Sequence, residues 1–184
     1  MLMATQTEPV RIVLAEKRHL KRIPVIELAC ASLFTEADLP QNIRHRVTDA
    51  KTLRDAQAEH RLWIALNSTD KSVGFAMVAE LDGMAHLDEI DVLPEYGRRG
   101  IGSRLLLVAR GWAASNGYQA LSLVTFRHLP WNAPFYKKFG FIELDKMELG
   151  DDLASLIEEE ARAGIDIRNR IAMKLPISGE DSQR

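Results

Sequence analysis

The segment 92–112, "VLPEYGRRGIGSRLLLVARGW", limits the possible folds more than any other part of the sequence. Pro94 closes an extended run, a glycine-rich turn follows, and apolar residues then recur at helical spacing at Ile101, Leu105, Val108 and Trp112. A turn of this kind aims the unpaired first amides of the helix, and the positive end of its dipole, at one point. The sequence therefore predicts an anion site at the start of a central helix.

The glycines and arginines of this segment suit such a site. Gly97, Gly100 and Gly102 allow the backbone to approach a ligand closely, and Arg98 and Arg99 add positive charge at the rim. The glycines alone also fit a plain tight turn with solvated arginines, so both interpretations stay open at this point.

Two nucleotide motifs are disfavoured. A P-loop needs a lysine after its last glycine, but Gly102 is followed by Ser103. A dinucleotide fingerprint read from Gly100 places its third glycine at Leu105, and the stretch 120–126 that would hold the ribose contains no acid. ATP and NAD are therefore not the expected ligands.

The hydrophobic pattern predicts an α/β (α+β) fold: a mixed, largely antiparallel sheet of about six to seven strands flanked by helices. The predicted strands are 10–15, 61–67, 72–81, 84–92, 120–126, 141–149 and 168–176. The predicted helices are 18–34 with a break or a late helix start at Pro24, 49–60, 101–116, 132–139 and 151–164. Residues 10–176 form one expected domain, and 1–9 and 177–184 are expected to be flexible.

Composition excludes several classes. A net charge of −2 gives no general reason to bind nucleic acid, and no apolar run approaches the roughly 18 residues of a membrane span. Cys30 is the only cysteine, so we expect a buried, inert thiol and a cytoplasmic location. The histidines lack ligand spacing, and no metal is expected.

The stretch "DVLPEYGRRGIGSRLL" resembles the acyl-CoA pyrophosphate loop of the GNAT superfamily of N-acyltransferases. The family pattern is Arg or Gln, two residues, Gly, one residue, then Gly or Ala. Gly100 and Gly102 match it, whereas Gly97 stands where Arg or Gln is usual. Because the family loop binds through main-chain amides, the resemblance implies that coenzyme A binding survives this departure.

A second motif, "NAPFYKKFGF", is similar to the tyrosine-bearing helix of the same superfamily. The resemblance implies that Tyr136 donates a proton to the coenzyme A sulfur, with a purely structural core aromatic as the alternative. The family often has an asparagine seven residues before this tyrosine, where this chain has Leu129. Asn132 lies four residues before Tyr136 and is a candidate for a cofactor contact or for a helix N-cap.

The candidate general bases lie on the strand 84–92. Alternation places His86, Asp88, Ile90 and Val92 on one face and Leu87, Glu89 and Asp91 on the other, unless a bulge intervenes. The resemblance implies that this strand splays beside the cofactor and carries a Glu or His base at Glu89, Asp88 or His86, which we rank in that order. A solvent-facing structural role stays open for each.

The same strand is expected to bind the cofactor through its backbone. The resemblance implies an oxyanion donor amide near Val92 and backbone pairing with the pantetheine amides. The full set of expected cofactor-binding residues is Ile90, Asp91, Val92, Gly97, Arg98, Arg99, Gly100, Ile101, Gly102, Ser103 and Asn132.

The resemblance implies an acetyl-CoA-dependent N-acetyltransferase that transfers acetyl directly to an amine in a ternary complex. The acceptor, a small-molecule amine or a protein amino group, would be shaped by residues 35–47 and 125–134, which carry no specificity signature. Edge pairing of the last strands is a route to a homodimer. The alternative is a catalytically silent acyl-CoA sensor.

Overall fold

A seven-stranded sheet forms the centre of the chain, which the computed structural model describes over residues 9–177. Its order is β1-β2-β3-β4-β5-β7-β6, and β4 and β5 are the one parallel pair among these strands. The strands are β1 (Arg11–Leu14), β2 (Leu62–Leu66), β3 (Ser72–Leu81), β4 (Met84–Val92), β5 (Ala120–Phe126), β6 (Ile142–Glu143) and β7 (Arg170–Pro176). The predicted mixed, largely antiparallel sheet is confirmed.

The chain ends predicted to be flexible fall almost entirely outside the described residues, which exclude 1–8 and 178–184. Ile177, which we placed in the C-terminal tail, is buried, and its amide donates to the carbonyl of Gln119 at 2.9 Å. The packed domain therefore extends at least one residue beyond the predicted boundary.

Seven α-helices surround this sheet in the described part of the chain. They are α1 (Lys17–Leu20), α2 (Ile23–Ala31), α3 (Gln41–Arg44), α4 (Ala50–Ala58), α5 (Ile101–Ser115), α6 (Ala133–Lys137) and α7 (Asp151–Arg162). Pro24 lies in the first turn of α2, where its missing N–H costs no hydrogen bond, and this divides the predicted helix 18–34. The short helix α3 was not predicted. None of the described helices is long and apolar enough to cross a membrane.

The helices α2 and α5 cover opposite faces of the sheet. Trp112 of α5 packs against Trp63 of β2, which pairs with Ala76 of β3. Asp91 of β4 pairs with the next β3 residue, Phe75, and therefore points to the other face, where it meets α2. The core thus lies in two layers, with α5 on one side and α2 on the other.

The parallel pair β4–β5 separates after a short contact. Ala85 pairs with Leu121 and His86 with Ser122, but no further pair joins these strands within the described residues. Both strands remain paired on their outer sides, β4 with β3 and β5 with β7. The result is a wedge that we call the β4–β5 gap, with residues 87–92 along one edge and 123–126 along the other.

The predicted strand 141–149 is wrong over most of its length. β6 contains only Ile142 and Glu143, and a 3₁₀ turn follows at Lys146–Glu148. The Glu148 carboxylate accepts a hydrogen bond from the Asp145 amide, and the Asp145 carboxylate accepts one from the Glu148 amide. This reciprocal capping box satisfies amides that a strand would have paired with a neighbouring strand. Local side-chain bonding has replaced strand pairing here.

The helix α7 is held at its start by a residue from a distant turn. The carboxylate of Asp82, between β3 and β4, accepts hydrogen bonds from the amides of Asp152 and Leu153, and the Asp152 carboxylate accepts from the Asp82 amide. The N-cap residue is Gly150, where a Cβ atom would lie 2.1 Å from the Asp82 side chain. The cap therefore fixes α7 against the sheet.

Replacing Asp82 with glycine tests this long-range cap. Asp82 has φ of 52°, so glycine removes the carboxylate without adding backbone strain. We expect Asp82→Gly to lower the free energy of unfolding by about 1–2 kcal/mol, measured by urea denaturation. The control Asp151→Ala, at the same helix end, should cost less than about 0.5 kcal/mol because it removes only a dipole interaction. Equal losses in the two variants would contradict the assignment.

Candidate active site

The start of α5 carries a run of backbone amides without acceptors. Gly100 is the N-cap in the left-handed conformation with φ of 75°, and its carbonyl accepts the first helical hydrogen bond from Arg104. Among the described residues, no acceptor pairs with the amides of residues 98–103. Six consecutive free donors at a helix N-terminus are an arrangement that favours an anion such as a phosphate.

The space around Gly100 and Gly102 favours a ligand-binding loop over a plain tight turn. A Cβ atom on Gly102 would meet only the Phe135 ring at 3.9 Å, and one on Gly100 would meet no described atom within 4 Å. Gly100 is needed for its positive φ, but packing within the protein gives no reason for Gly102. The open space in front of both residues is what a closely approaching ligand requires.

The remaining residues of the segment divide between backbone and side-chain roles. The Ile101 side chain is buried in the core, so only its amide can reach a ligand. Arg99 donates to the Glu95 carbonyl at 2.8 Å and lies over the Tyr96 ring, which holds it at the rim. Arg98 is exposed, Ser103 is half-buried, and Gly97 has an ordinary φ of −60° with its Cβ position 3.0 Å from the Pro94 carbonyl oxygen.

A bulge in β4 overturns the predicted alternation. Met77 of β3 pairs with Glu89, but the next residue, Val78, pairs with Leu87, so Asp88 is the extra residue. Cross-strand partners share a face, which places His86, Glu89 and Asp91 on the α2 face and Leu87, Ile90 and Val92 on the α5 face. The predicted grouping of His86 with Ile90 and Val92 is therefore wrong.

Four acidic side chains of β4 and α2 interact electrostatically: Glu27, Asp88, Glu89 and Asp91, which we call the carboxylate cluster. Desolvation first, and then the charges of Asp91 and Asp88, raise the pKa of Glu89 well above its usual value. Desolvation and the charge of Glu27 raise the pKa of Asp91 to about 7. Desolvation also raises the pKa of Asp88, although Asp88 is exposed at the bulge. A carboxyl with a pKa of about 7, as in Asp91, can exchange protons near neutral pH.

Glu27 was not among the predicted site residues. Its carboxylate is almost completely buried on α2 and accepts hydrogen bonds from the Thr48 hydroxyl at 2.5 Å and from the Thr48 amide. The available signal was a single acid in the apolar run "IPVIELACA", since acids are almost never fully buried unless they are paired. Cys30, one turn later, is buried beside Asp91 as an inert thiol whose pKa is raised by desolvation.

His86 lies at the closed end of the β4–β5 gap. Its side chain is buried, and its Nδ1 is 2.9 Å from the Ser122 hydroxyl. Desolvation lowers the pKa of His86 to about 4, so the ring is neutral at physiological pH. A ring that is 2% exposed cannot receive an amine, and the geometry favours the carboxylates as bases.

Tyr136 on α6 offers a hydroxyl without a hydrogen-bond partner in the described part of the chain. Its ring packs between Phe135 at 5.2 Å and Phe141 at 5.6 Å between centroids, which fixes its direction. Desolvation, and then the charges of Glu89 and Asp91, raise the pKa of Tyr136, so the phenol stays protonated and can donate. The core packing and the donor role predicted for this residue are compatible.

The backbone of β4 faces the gap at regular intervals. The Leu93 amide donates to the Val73 carbonyl of β3 at 2.9 Å, so alternation turns the N–H of Val92, and likewise that of Ile90, toward the gap. Across the gap, Asn132 donates from its side chain to the Thr125 hydroxyl at 2.7 Å. Asn132 occupies the N-cap position of α6, but its side chain makes no capping bond.

Comparison with known families identifies the arrangement. The model of the acetyltransferase (GNAT) family matches residues 28–141, which include the three β4 carboxylates, the glycine segment and Tyr136. The chain belongs to the GNAT family. The resemblance read from the two sequence motifs is therefore confirmed.

Solved GNAT structures share the fold over nearly the whole chain. The PaiA N-acetyltransferase of Thermoplasma acidophilum, in complex with coenzyme A, is 18% identical with a TM-score of 0.66, covering 92% of this chain and 99% of that one. The ribosomal-protein-S18-alanine N-acetyltransferase of Escherichia coli is 22% identical with a TM-score of 0.64, covering 92% and 95%. The N-acetylglutamate synthase of Neisseria gonorrhoeae, complexed with coenzyme A and N-acetyl-glutamate, is 17% identical with a TM-score of 0.66, covering 92% and 35%.

The crowding of carboxylates predicts a pH-dependent stability change for Asp91→Asn. The folded pKa of Asp91, about 7, lies above the ordinary 3.8. Between these pH values the folded protein keeps a proton that the unfolded chain loses, so the aspartate costs more stability as pH rises. The gain in unfolding free energy from Asp91→Asn should be larger at pH 8 than at pH 5 by roughly 2–3 kcal/mol, measured by urea denaturation.

The control has the opposite sign. Hydrogen bonds from Arg168 lower the pKa of Asp166 to about 2, so its stabilisation is complete at both pH values. Asp166→Asn should therefore lose the same stability at pH 5 and pH 8. A gain for Asp91→Asn that does not change with pH would show that its carboxyl is not crowded in the folded protein.

Proposed function

We propose that this GNAT protein is an N-acetyltransferase that transfers an acetyl group from acetyl-CoA to a primary amine by direct attack in a ternary complex. One observation carries the proposal: six free amides at the start of α5 adjoin a gap that has Glu89 on one side and Tyr136 on the other. Coenzyme A in solved structures of this fold supports the choice of donor.

The backbone would hold the donor in two places. The amides of residues 98–103 bind its diphosphate, with Arg98 and Arg99 adding positive charge. The free edge of β4 at Ile90 and Val92 pairs with the pantetheine amides as an added strand would. When bound, acetyl-CoA supplies the acetyl group as a thioester.

The side chains then handle the protons. Glu89 in its ionised form takes a proton from the acceptor ammonium, directly or through one water, and Asp88 at the bulge is the second candidate. The amine nitrogen forms its bond to the acetyl carbon as the carbon–sulfur bond breaks, and the Val92 amide donates to the carbonyl oxygen. The Tyr136 hydroxyl gives its proton to the sulfur, which leaves as the thiol, and the second proton of the amine nitrogen restores the Tyr136 hydroxyl. The net result is an amide, a free thiol and one proton.

Turnover tests this proposal directly. Protein, acetyl-CoA and a panel of amines are mixed, and the release of free thiol is followed. We expect Tyr136→Phe to lower kcat about 100-fold, because it removes one proton donor, with the affinity for coenzyme A unchanged. The matched control is Tyr118→Phe, which removes a hydroxyl that donates to Glu80 at the surface and should leave kcat unchanged.

A catalytically silent acyl-CoA sensor is the second candidate, and the same experiment separates the two. A sensor would bind coenzyme A, release no thiol with any amine and keep its properties in the Tyr136→Phe variant. Measurable affinity for ATP would instead revive a nucleotide-binding function.

A pair of glycine variants tests the diphosphate site. Gly100 and Gly83 have φ of 75° and 71°, and a Cβ at either would meet no described atom within 4 Å. Alanine should therefore cost each protein a similar stability of about 1 kcal/mol. Only Gly100→Ala places a methyl group where the diphosphate would lie, so it alone should weaken coenzyme A binding, by about 10-fold or more, in calorimetric titrations. Equal affinities in the two variants would contradict this site.

A further inference from the structure

Three aromatic side chains contact one another at the end of β5: Phe34, Phe126 and Trp131, which we call the aromatic cluster. The rings of Phe34 and Phe126 are 5.4 Å apart, and those of Phe34 and Trp131 are 6.3 Å apart in an edge-on arrangement. Trp131 is 48% exposed, whereas Phe126 is buried. An indole fixed on an aromatic base but open to solvent is suited to pack against an apolar ligand.

The aromatic cluster belongs to two loops that are tied together. His128 Nε2 lies 2.8 Å from Asp38 Oδ1, and the other oxygen of Asp38 accepts from the Thr35 hydroxyl at 2.6 Å. The pairing joins the loop after α2 to the loop after β5, the two segments in which we expected the acceptor to bind. The position of Trp131 is thus supported by contacts between both loops.

Arg170 contacts the aromatic cluster and also acts electrostatically on the catalytic candidates. Its guanidinium carbon lies 4.5 Å from the centroid of the Phe126 ring. Its charge acts on both Glu89 and Tyr136, since it opposes the rise in the pKa of each. An unpaired guanidinium at this position would attract an acceptor that carries a carboxylate.

That guanidinium is already paired with the carboxylate of Glu160 on α7. Both Nε and Nη2 of Arg170 donate to the Glu160 carboxylate, Nε at 2.8 Å, and the two side chains are 10% and 17% exposed. The other cation that acts on the carboxylate cluster, Arg61, is paired with Glu59 and donates to the Val78 carbonyl. The positive charges of Arg170 and Arg61 are therefore neutralised by Glu160 and Glu59, and the negative charge of the carboxylate cluster is not balanced by them.

We infer that the acceptor is a cationic amine with an apolar or aromatic body and without a carboxylate beside the amino group, and that Glu160 determines this preference by neutralising Arg170. The inference rests on the proposed function and narrows its substrate class. The carboxylate cluster attracts the ammonium group, and Trp131 packs against the body. Glu160 lies on α7, which the Asp82 cap fixes in place, so it acts as a specificity-determining residue without touching the reacting atoms.

A panel of matched amines tests the inference. Phenethylamine, phenylalaninamide and phenylalanine share a benzyl group. The carbon that bears their amine carries no further group in phenethylamine, a neutral amide in phenylalaninamide and a carboxylate in phenylalanine. Ethylamine lacks the apolar body. With free thiol as the readout, we expect kcat/KM for phenethylamine and phenylalaninamide to exceed that for phenylalanine by about 100-fold or more. Ethylamine should be poorer than phenethylamine by about 10-fold or more, mainly through KM.

Two variants with controls assign the roles. Glu160→Gln should lower the ratio of phenethylamine to phenylalanine turnover at least about 10-fold, because it frees Arg170. Glu158→Gln makes the same change on α7, at an exposed pair with Arg162, and should leave the ratio unchanged. Trp131→Ala should raise KM for phenethylamine about 10-fold while leaving ethylamine unaffected, and Trp131→Phe should restore most of the affinity. Met147→Ala, at a fully exposed apolar residue, is the control for a lost side chain.

The outcomes separate this inference from the proposed function. Turnover of phenylalanine equal to that of phenethylamine, or an unchanged ratio in a folded Glu160→Gln protein, overturns the inference and leaves the acetyltransferase intact. Turnover of a peptide amino terminus well above every small amine also overturns it, because the acceptor is then a polypeptide. The absence of thiol release with every amine tested, despite coenzyme A binding, counts against the proposed function itself. Circular dichroism and the unfolding midpoint confirm that each variant is folded.

Discussion

The early separation of β4 from β5 is the constraint on which the rest of the site depends. Two parallel pairs, ending at His86, hold the strands together, and each strand then follows its antiparallel partner away from the other. The N–H and C=O groups along the open edges therefore have no partner across the gap, which is tolerable only where water or a ligand replaces it. The bulge at Asp88 lies just beyond the last pair and turns Glu89 to the α2 face. The free amides of α5, the β4 edge and Tyr136 border one space because of this separation.

Opposed electrostatics divide that space into a donor side and an acceptor side. The start of α5 presents amides, a helix dipole and two arginines, which together favour a diphosphate. On the opposite side, Glu27 of α2 and the β4 carboxylates gather negative charge, which raises the pKa of Asp88, Glu89 and Asp91 and favours an ammonium ion. Burial raises the pKa of Tyr136, so its phenol stays protonated at neutral pH, which supports its proposed role as the proton donor to the leaving sulfur.

The sequence was informative where the signal is local. Proline and glycine set the limits of the glycine segment, and the runs 72–81 and 84–92 match β3 and β4 to the residue. The bulge at Asp88 left no local mark, since it depends on how β4 registers against β3. Residues brought in by tertiary packing were also missed: Glu27 lies about sixty residues from β4, and the Arg170–Glu160 pair depends on β7 lying between β5 and β6. The failed strand at 141–149 shows local capping prevailing over hydrophobic alternation.

The central claim is that main-chain amides at the start of α5 hold the diphosphate of coenzyme A. The most direct measurement is a calorimetric titration at moderate salt with coenzyme A, with pantetheine, which lacks the diphosphate, and with adenosine 3′,5′-bisphosphate as a control for the adenosine end. We expect coenzyme A to bind at least about 100-fold more tightly than pantetheine, because two charge-assisted hydrogen bonds account for about 3 kcal/mol, and more tightly than the bisphosphate. Equal affinities for coenzyme A and pantetheine, or no binding of coenzyme A, would contradict the account.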